Sequence, residues 1–343
     1  MPMDTSVQLL EGDCKEVLAT LEPESMDSGV TDPPYGISFA GKGWDHSVPG
    51  ADYWSAVHRV LRPGATLLAF GGTRTFHRLA CAIEDGGFSI RDCIARWVAE
   101  DDLVSAFIGT LSKDQIAAFE HAFPDGPLAW MYSKGYPRKQ CLKPAWEPIV
   151  IARKMPRQGE PRSHGLNVDA CRISDAARVG LKEAFATEGA GELHPRAVFG
   201  GRGGDIRGRW PANVMIEHRP ECGERCVEGC PCLELDRQAR APVSRFFYSG
   251  KASREDRGEG NTHPTVKPRH LMQYLVRLVT PPGGRVLDPF MGSGSTGVAA
   301  AIEGFAFTGI DRESRYVRLA RYRIANARME LLNDPMVKVR RKR

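Results

Sequence analysis

The feature that most constrains this 343-residue chain is the run RVLDPFMGSGSTG at residues 285–297. A strand-like stretch enters a turn whose glycines 292, 294 and 297 follow G-x-G-x-x-G, and a helix-like stretch leaves it. Such a turn presents backbone N–H groups and a helix N-terminus to a ligand at the carboxyl end of a strand, so it belongs to an α/β sheet. The surroundings agree. A helix over 269–280, a TPPGG turn, a strand over 285–287, a helix over 297–303, a strand over 306–310 and a last helix over 313–332 alternate without a break.

The first 150 residues alternate in the same way. Strands are expected over 7–10, 27–31 and 66–70, near 89–97 and over 148–152, with helices over 15–21, 53–61 and near 76–84. Both ends of the chain therefore contribute to one mainly parallel sheet covered by helices. Residues 100–122 read as a polar, helical surface element. Between 155 and about 260 the periodicity gives way to Gly, Pro, Arg and Cys, including GGRGGDIRGRW at 200–210, which marks a loop-rich insertion. A hydrophobic share of 42% suffices for one large domain with a smaller one inserted. No run approaches the roughly 20 apolar residues that cross a bilayer, and no charged-then-apolar leader opens the chain. The expectation is a cytoplasmic protein without a membrane partner; nothing in the pattern specifies an oligomeric state.

A second motif, TDPPYGISF at 31–39, follows the strand containing DSGV. Pro33 and Pro34 remove two backbone donors and fix the turn, leaving carbonyls to accept hydrogen bonds from a ligand. Asp32 adds a charged acceptor and Tyr35 a flat ring. An exocyclic –NH2 group needs two acceptors, and its base needs a stacking face. Alone, the four residues fit equally well a strand-end turn with a surface tyrosine; paired with the glycine turn they favour a site.

The glycine turn by itself suits a dinucleotide or S-adenosylmethionine. Asp288 in LDPF favours the second, because a carboxylate there suits a cationic amino-acid cofactor and repels a pyrophosphate. Asp311 ends the next strand, where an acid can hold ribose hydroxyls. A NAD-dependent oxidoreductase, the rival on the glycines alone, fails on position, since too few residues follow the motif for the rest of a dinucleotide fold.

Taken together, LLEGDCKEVLATL, DSGVTDPPYGISF, SRFFYSGKAS, HPTVKPRHLMQYLVRLVTPPGGRVLDPFMGSGSTGVAA and FTGIDRESRYVRLARYRI resemble the beta class of DNA amino-methyltransferases, in which the target-amine motif precedes the cofactor motif. The resemblance implies a Rossmann-like S-adenosylmethionine-dependent methyltransferase fold with a mainly parallel seven-stranded sheet, circularly permuted. It divides the chain into a catalytic half (1–154), a target-recognition insertion (155–260), a cofactor-binding half (261–335) and a basic tail (336–343). The implied activity is methylation of adenine N6 in double-stranded DNA, on a flipped-out base and in a restriction-modification setting. Cytosine N4 is the alternative, and Asp32 tilts the choice because relatives acting on cytosine often carry Ser there. A noncatalytic module would have lost motif residues, and none is lost.

Carried over by resemblance, Asp32 and the Pro33 carbonyl hold the amine, Pro34 shapes the turn, Tyr35 stacks the base, and Asp13 gives a second contact to the ring. Asp288, Phe290, Gly292 and Gly294 form the cofactor pocket, Asp311 takes the ribose where relatives commonly have Glu, and Thr265, Lys267 and Pro268 meet the methionine part. His263 stands close to this last group in sequence. No metal is expected at the reacting centre.

Weaker signals remain. Cys222, Cys226, Cys230 and Cys232 lie close together and leave a structural zinc open, without the usual two short ligand loops and against a reading as free thiols. Cys14, Cys81, Cys93, Cys141 and Cys171 are scattered as reduced thiols are. The Pro231–Cys232 pair is set aside as a covalent nucleophile, since Asp-Pro-Pro-Tyr belongs to noncovalent transfer. Phe246, Phe247 and Tyr248 read mostly as core. A net charge of +5 and the tail VKVRRKR are compatible with DNA phosphates but read first as solvated surface.

Overall fold

In the computed structural model the described residues are 6–38, 43–90, 128–131, 146–157, 166–172, 214–219, 221–222, 225–228, 230–239, 244, 248–251 and 266–333. The expected helix over 100–122, most of the strand near 89–97, the segment 200–210, His263, Thr265, Phe246, Phe247 and the tail lie outside them.

The N-terminal half supplies β1 (Val7–Glu11), α1 (Cys14–Thr20), β2 (Met26–Thr31), α2 (Ala51–Val60), β3 (Leu61–Phe70), α3 (Phe76–Asp85) and the short β4 (Ser89–Ile90). After β5 (Leu128–Met131) and β6 (Trp146–Arg153) come β7 (Val214–His218), α4 (Pro231–Ala239) and β8 (Tyr248–Lys251). The C-terminal part is α5 (Arg269–Val279), β9 (Arg285–Asp288), α6 (Ser295–Glu303), β10 (Ala306–Asp311) and α7 (Ser314–Asn333).

One ten-stranded sheet runs β1-β10-β9-β2-β3-β6-β5-β7-β8, with β4 also paired to β6. The pairings β1·β10, β10·β9, β9·β2, β2·β3, β5·β7 and β7·β8 are parallel, and β6 runs antiparallel to β3, β4 and β5. The expected mainly parallel, Rossmann-like architecture is present, and the run from β1 to β5 contains seven strands. The additions are β4 and the two strands β7 and β8. The last two fall in the segment expected to be loop-rich. They are only five and four residues long, and pairing with β5 across the sheet, not local periodicity, defines them.

Apolar runs explain why the centre is buried on both faces. Leu67, Leu68, Ala69 and Phe70 of β3 are wholly shielded, as are Val286 and Leu287 of β9. One face packs against α5 and α6 through Leu275, Val276, Ala299 and Ala300, and the other against α2 and α3 through Trp54, Val57, Leu79 and Ile83. Contact between the ends of the chain is direct: β1 lies against β10, and β2 against β9. No described helix is long and apolar enough to cross a membrane.

Close packing sets the third glycine of the turn. A Cβ on Gly297 would lie 2.4 Å from Ile324 Cδ1 and 2.6 Å from Phe307 Cε1, so α6 approaches α7 and β10 only because that position has no side chain. Gly297→Ala is therefore expected to lower stability by about 1–3 kcal/mol, the usual cost of overpacking a filled core. Urea unfolding checks this, and an unchanged midpoint would contradict it.

Candidate active site

The two sequence motifs meet because β2 and β9 are neighbours. Thr31 is the last residue of β2 and Asp288 the last of β9, and Thr31 Oγ1 donates to Asp288 Oδ1 at 2.7 Å. Asp288 is 2% exposed. Its Oδ1 also accepts from the Phe290 N–H at 3.1 Å, while Oδ2 accepts from Thr296 Oγ1 at 2.6 Å. The carboxylate thus points inward and joins the end of β2, the glycine turn and the first turn of α6. Burial raises its pKa to about 7, against the pull of the Thr296, Thr31 and Phe290 donors.

Asp311, at the end of β10, fixes the same turn from the other side. Its Oδ2 accepts from the Gly292 N–H at 2.9 Å and its Oδ1 from the Glu313 N–H at 2.8 Å. Each oxygen keeps a further lone pair. Gly294 has φ +81°, a left-handed conformation that glycine adopts without strain, and it caps α6. Arg323 of α7 donates to the Ser293 carbonyl at 2.6 Å. Phe290 turns toward α2, 6.4 Å from Tyr53 and 6.1 Å from Trp54 between ring centroids. Asp13 caps α1 by accepting from Lys15 N at 2.9 Å, and Tyr53 hydroxyl approaches its other oxygen at 3.4 Å.

Beyond β2, Pro33 is buried, and Pro34 and Tyr35 are partly buried. The turn is held by Thr75 Oγ1, which donates to the Tyr35 carbonyl at 2.6 Å, and by the buried Asp45, whose Oδ1 accepts from Gly36 N at 2.8 Å. Tyr35 hydroxyl lies 2.8 Å from Asp32 Oδ1 and 2.6 Å from Glu147 Oε1. A phenol carries one hydrogen and cannot serve two carboxylate acceptors. Its hydrogen serves one of the two, and the Lys267 ammonium, 2.8 Å from Asp32 Oδ2 and 3.5 Å from Glu147 Oε2, lies against both. Burial, first, and the charge of Asp32 push the Glu147 carboxyl above its ordinary range, despite the opposing pull of Lys267. Burial and both carboxylates likewise push the Tyr35 hydroxyl well up.

Lys267 completes the group. Its Nζ donates to Asp32 Oδ2 at 2.8 Å and to Tyr35 Oη at 3.1 Å, and lies 3.5 Å from Glu147 Oε2 and 4.6 Å from the Phe70 ring centre. Burial alone would lower its pKa, but Asp32 and Glu147 together hold it above the usual lysine value. Lys267 and the buried Pro268 directly precede α5. Lys267, expected at the methionine end of a cofactor, is engaged here with Asp32 and Tyr35.

The structure thus brings Asp32, Tyr35 and Lys267 into one cluster and Asp288, Gly292, Gly294 and Asp311 into another, bridged by Thr31. Glu147 is the member that the sequence reading missed. It stands 112 residues from Tyr35, and its only signal is an acid at the start of the apolar strand WEPIVIAR.

A family model described as DNA methylase matches residues 26–322. A relative from Streptococcus pneumoniae, the type II methyltransferase M2.DpnII, is 39% identical over 77 residues, which cover 22% of this chain and 29% of that relative. Among solved structures, TTHA0409, a putative DNA modification methylase from Thermus thermophilus in complex with S-adenosyl-L-methionine, is 19% identical over 93% of each chain, with a TM-score of 0.47. The PvuII DNA methyltransferase, which is cytosine-N4-specific, is 15% identical over 96% of this chain and 94% of that one, with a TM-score of 0.49.

The state of Asp288 makes stability depend on pH. A carboxyl at about 7 in the folded chain and near 4 in the unfolded one binds more protons when folded across that interval. Its contribution to stability must therefore fall as pH rises from about 4 to 7. Asp288→Asn removes that titration while retaining one acceptor oxygen for Thr31 and the Phe290 N–H, and Thr296 keeps the Val30 carbonyl as an acceptor. The difference in melting temperature, variant minus wild type, is expected to grow across this range; a flat difference would mean that Asp288 is ionised throughout.

Proposed function

The chain belongs to the DNA methylase family, and from that premise we propose that it transfers a methyl group from S-adenosylmethionine to N6 of adenine in double-stranded DNA. The observation that carries this reading is the 2.7 Å hydrogen bond from Thr31 to Asp288, which sets an amine-accepting turn beside a glycine turn at adjacent strand ends. The cofactor supplies an electrophilic methyl group on a sulfonium. Its donor requirements fit the residues present: Asp311 retains lone pairs for ribose hydroxyls, Phe290 lines the turn, and Gly292 and Gly294 let the backbone approach, with Asp288 holding the turn in shape. Pro268 lies at the α5 end of this region, and Thr265 remains assigned to the methionine part by resemblance alone.

The residues of the first cluster act on the substrate. An aromatic amine is a weak nucleophile because its lone pair is delocalised into the ring. Asp32 and the Pro33 carbonyl, accepting from its two hydrogens, draw the nitrogen toward tetrahedral geometry, an interaction strongest in the transition state. Tyr35 offers its ring to an extruded base and is held by its hydroxyl, with Asp13 a second contact to the ring. Lys267 and Glu147 are positioning residues, fixing Asp32 and Tyr35 through contacts of 2.8 and 2.6 Å. Positioning and electrostatics carry the rate, and no covalent nucleophile is needed. The acid at position 32 supports adenine over cytosine as the target.

Asp32→Ala is expected to abolish methyl transfer while S-adenosylmethionine still binds, as read by tritium transfer and calorimetry. Wild-type turnover in that variant would remove Asp32 from the mechanism. Mass spectrometry of nucleosides from treated DNA identifies the product: N6-methyladenine is expected, and N4-methylcytosine would reassign the base.

The insertion at 155–260 is proposed to read the DNA sequence, because it is rich in arginine and lies between halves already assigned to the amine and the cofactor. Exchanging it for the corresponding segment of a relative with another target is expected to change the methylated sequence and leave the modified base the same, since Asp32, Tyr35 and Asp13 lie outside it. Long-read sequencing of host DNA reports both; an unchanged target sequence would place recognition elsewhere.

A further inference from the structure

Ile216, Cys222, Cys230 and Cys232 form a small core of their own under β7 and α4, with Cys226, Val227, Leu233 and Leu235 packed around it. Three of its four fully buried side chains are thiols. So few aliphatic groups bury too little area to order a connection of a dozen residues. Something else must fasten it.

His218 is the last residue of β7, and its Nδ1 lies 3.4 Å from both Cys226 Sγ and Cys230 Sγ. The ligand atoms of His218, Cys222, Cys226 and Cys230 all fall within 4.8 Å of one another. Ligands at about 2.0–2.3 Å from a tetrahedral zinc stand roughly 3.4–3.8 Å apart, so the four need to move inward only slightly. Cys232 adjoins Cys230 but is not of this group. The four positions recur every fourth residue, H-x3-C-x3-C-x3-C, a regularity hidden when Cys232 is taken as the fourth ligand.

We propose that His218, Cys222, Cys226 and Cys230 bind one zinc ion in a closed tetrahedral site that ties the 219–230 connection to the end of β7. Three thiolates and one imidazole are a soft donor set typical of structural zinc, and four protein ligands leave no position for substrate. The metal's role is to order the α4 side of the sheet edge. It takes no part in methyl transfer.

Protein purified under reducing conditions without chelator is expected to carry about one zinc per chain by plasma mass spectrometry. His218→Ala and Cys226→Ser are expected to lose it, and Cys232→Ser to keep it. Should either variant fail to fold, X-ray absorption on the wild-type protein decides: three sulfurs and one nitrogen support the site. A spectrum with four sulfurs, zinc retained in both ligand variants, or wild-type protein that takes up no zinc on reconstitution and shows a Cys226–Cys230 disulfide by mass spectrometry would each overturn it. All these readouts are independent of methyl transfer.

Discussion

A single buried carboxylate holds the two working turns in register. Asp288 accepts from Thr31 on one strand, Thr296 on a helix and the backbone of Phe290 in the turn between. Removing it would leave the Thr31 hydroxyl and the Phe290 N–H without this partner in the interior, at a cost of about 1–3 kcal/mol each, while Thr296 keeps the Val30 carbonyl at 3.3 Å. The donors favour the charged form and burial opposes it, and the balance lies near neutrality. That placement is economical. Position 288 need not touch a ligand to control one, because shifting the turn also shifts the end of β2, and with it Asp32.

The second cluster works by opposition of charge. Lys267 is 8% exposed, and its surroundings include Asp32, Glu147 and the rings of Tyr35 and Phe70. An ammonium so deeply buried persists only where carboxylates meet it. The reverse also holds. Asp32 and Glu147 both contact one phenol oxygen, and two charged carboxylates could not remain so close without the lysine or a proton between them. Tyr35 is thereby fixed at its hydroxyl end, and the ring is held in place. Preorganisation of this kind is what a reaction driven by positioning requires.

Where the chain announces its fold, it does so through local patterns. β2, β3, β9 and β10 are apolar runs bounded by turns, α5 has a strong apolar face, and the glycines at 292, 294 and 297 mark a turn that few other folds use. The strands β5, β7 and β8 are as short as β9 but have no motif like the glycine turn beside them, and distant partners define them. Site residues divide along the same line. Asp32, Tyr35, Asp288 and Asp311 stand in contiguous motifs; Glu147 is a single acid whose meaning comes from a contact made across 112 residues. His218 differs again, since its four-residue spacing from the cysteines was available in the sequence, and the neighbouring Cys-Pro-Cys run obscured it.

The order of the sheet explains how such a chain can vary without losing its chemistry. Parallel pairing of β1 with β10 and β2 with β9 brings the two ends of the chain together, so the reacting centre is assembled from segments far apart in sequence. The described strands between β6 and α5, β7 and β8, lie at the other end of the sheet. β7 and β8 attach this middle portion to β5 through backbone hydrogen bonds, which make no demand on side-chain identity. Side chains in the connections can therefore change while the strands that carry them stay in place. The DNA-reading role proposed for this segment demands rigidity, since a base edge is distinguished by hydrogen bonds that tolerate little displacement. The last two strands of the sheet, of five and four residues, supply only part of it. A knot of ligands at the end of β7 would supply the remainder at the point where the chain leaves the sheet, fixing the connection without enlarging its core.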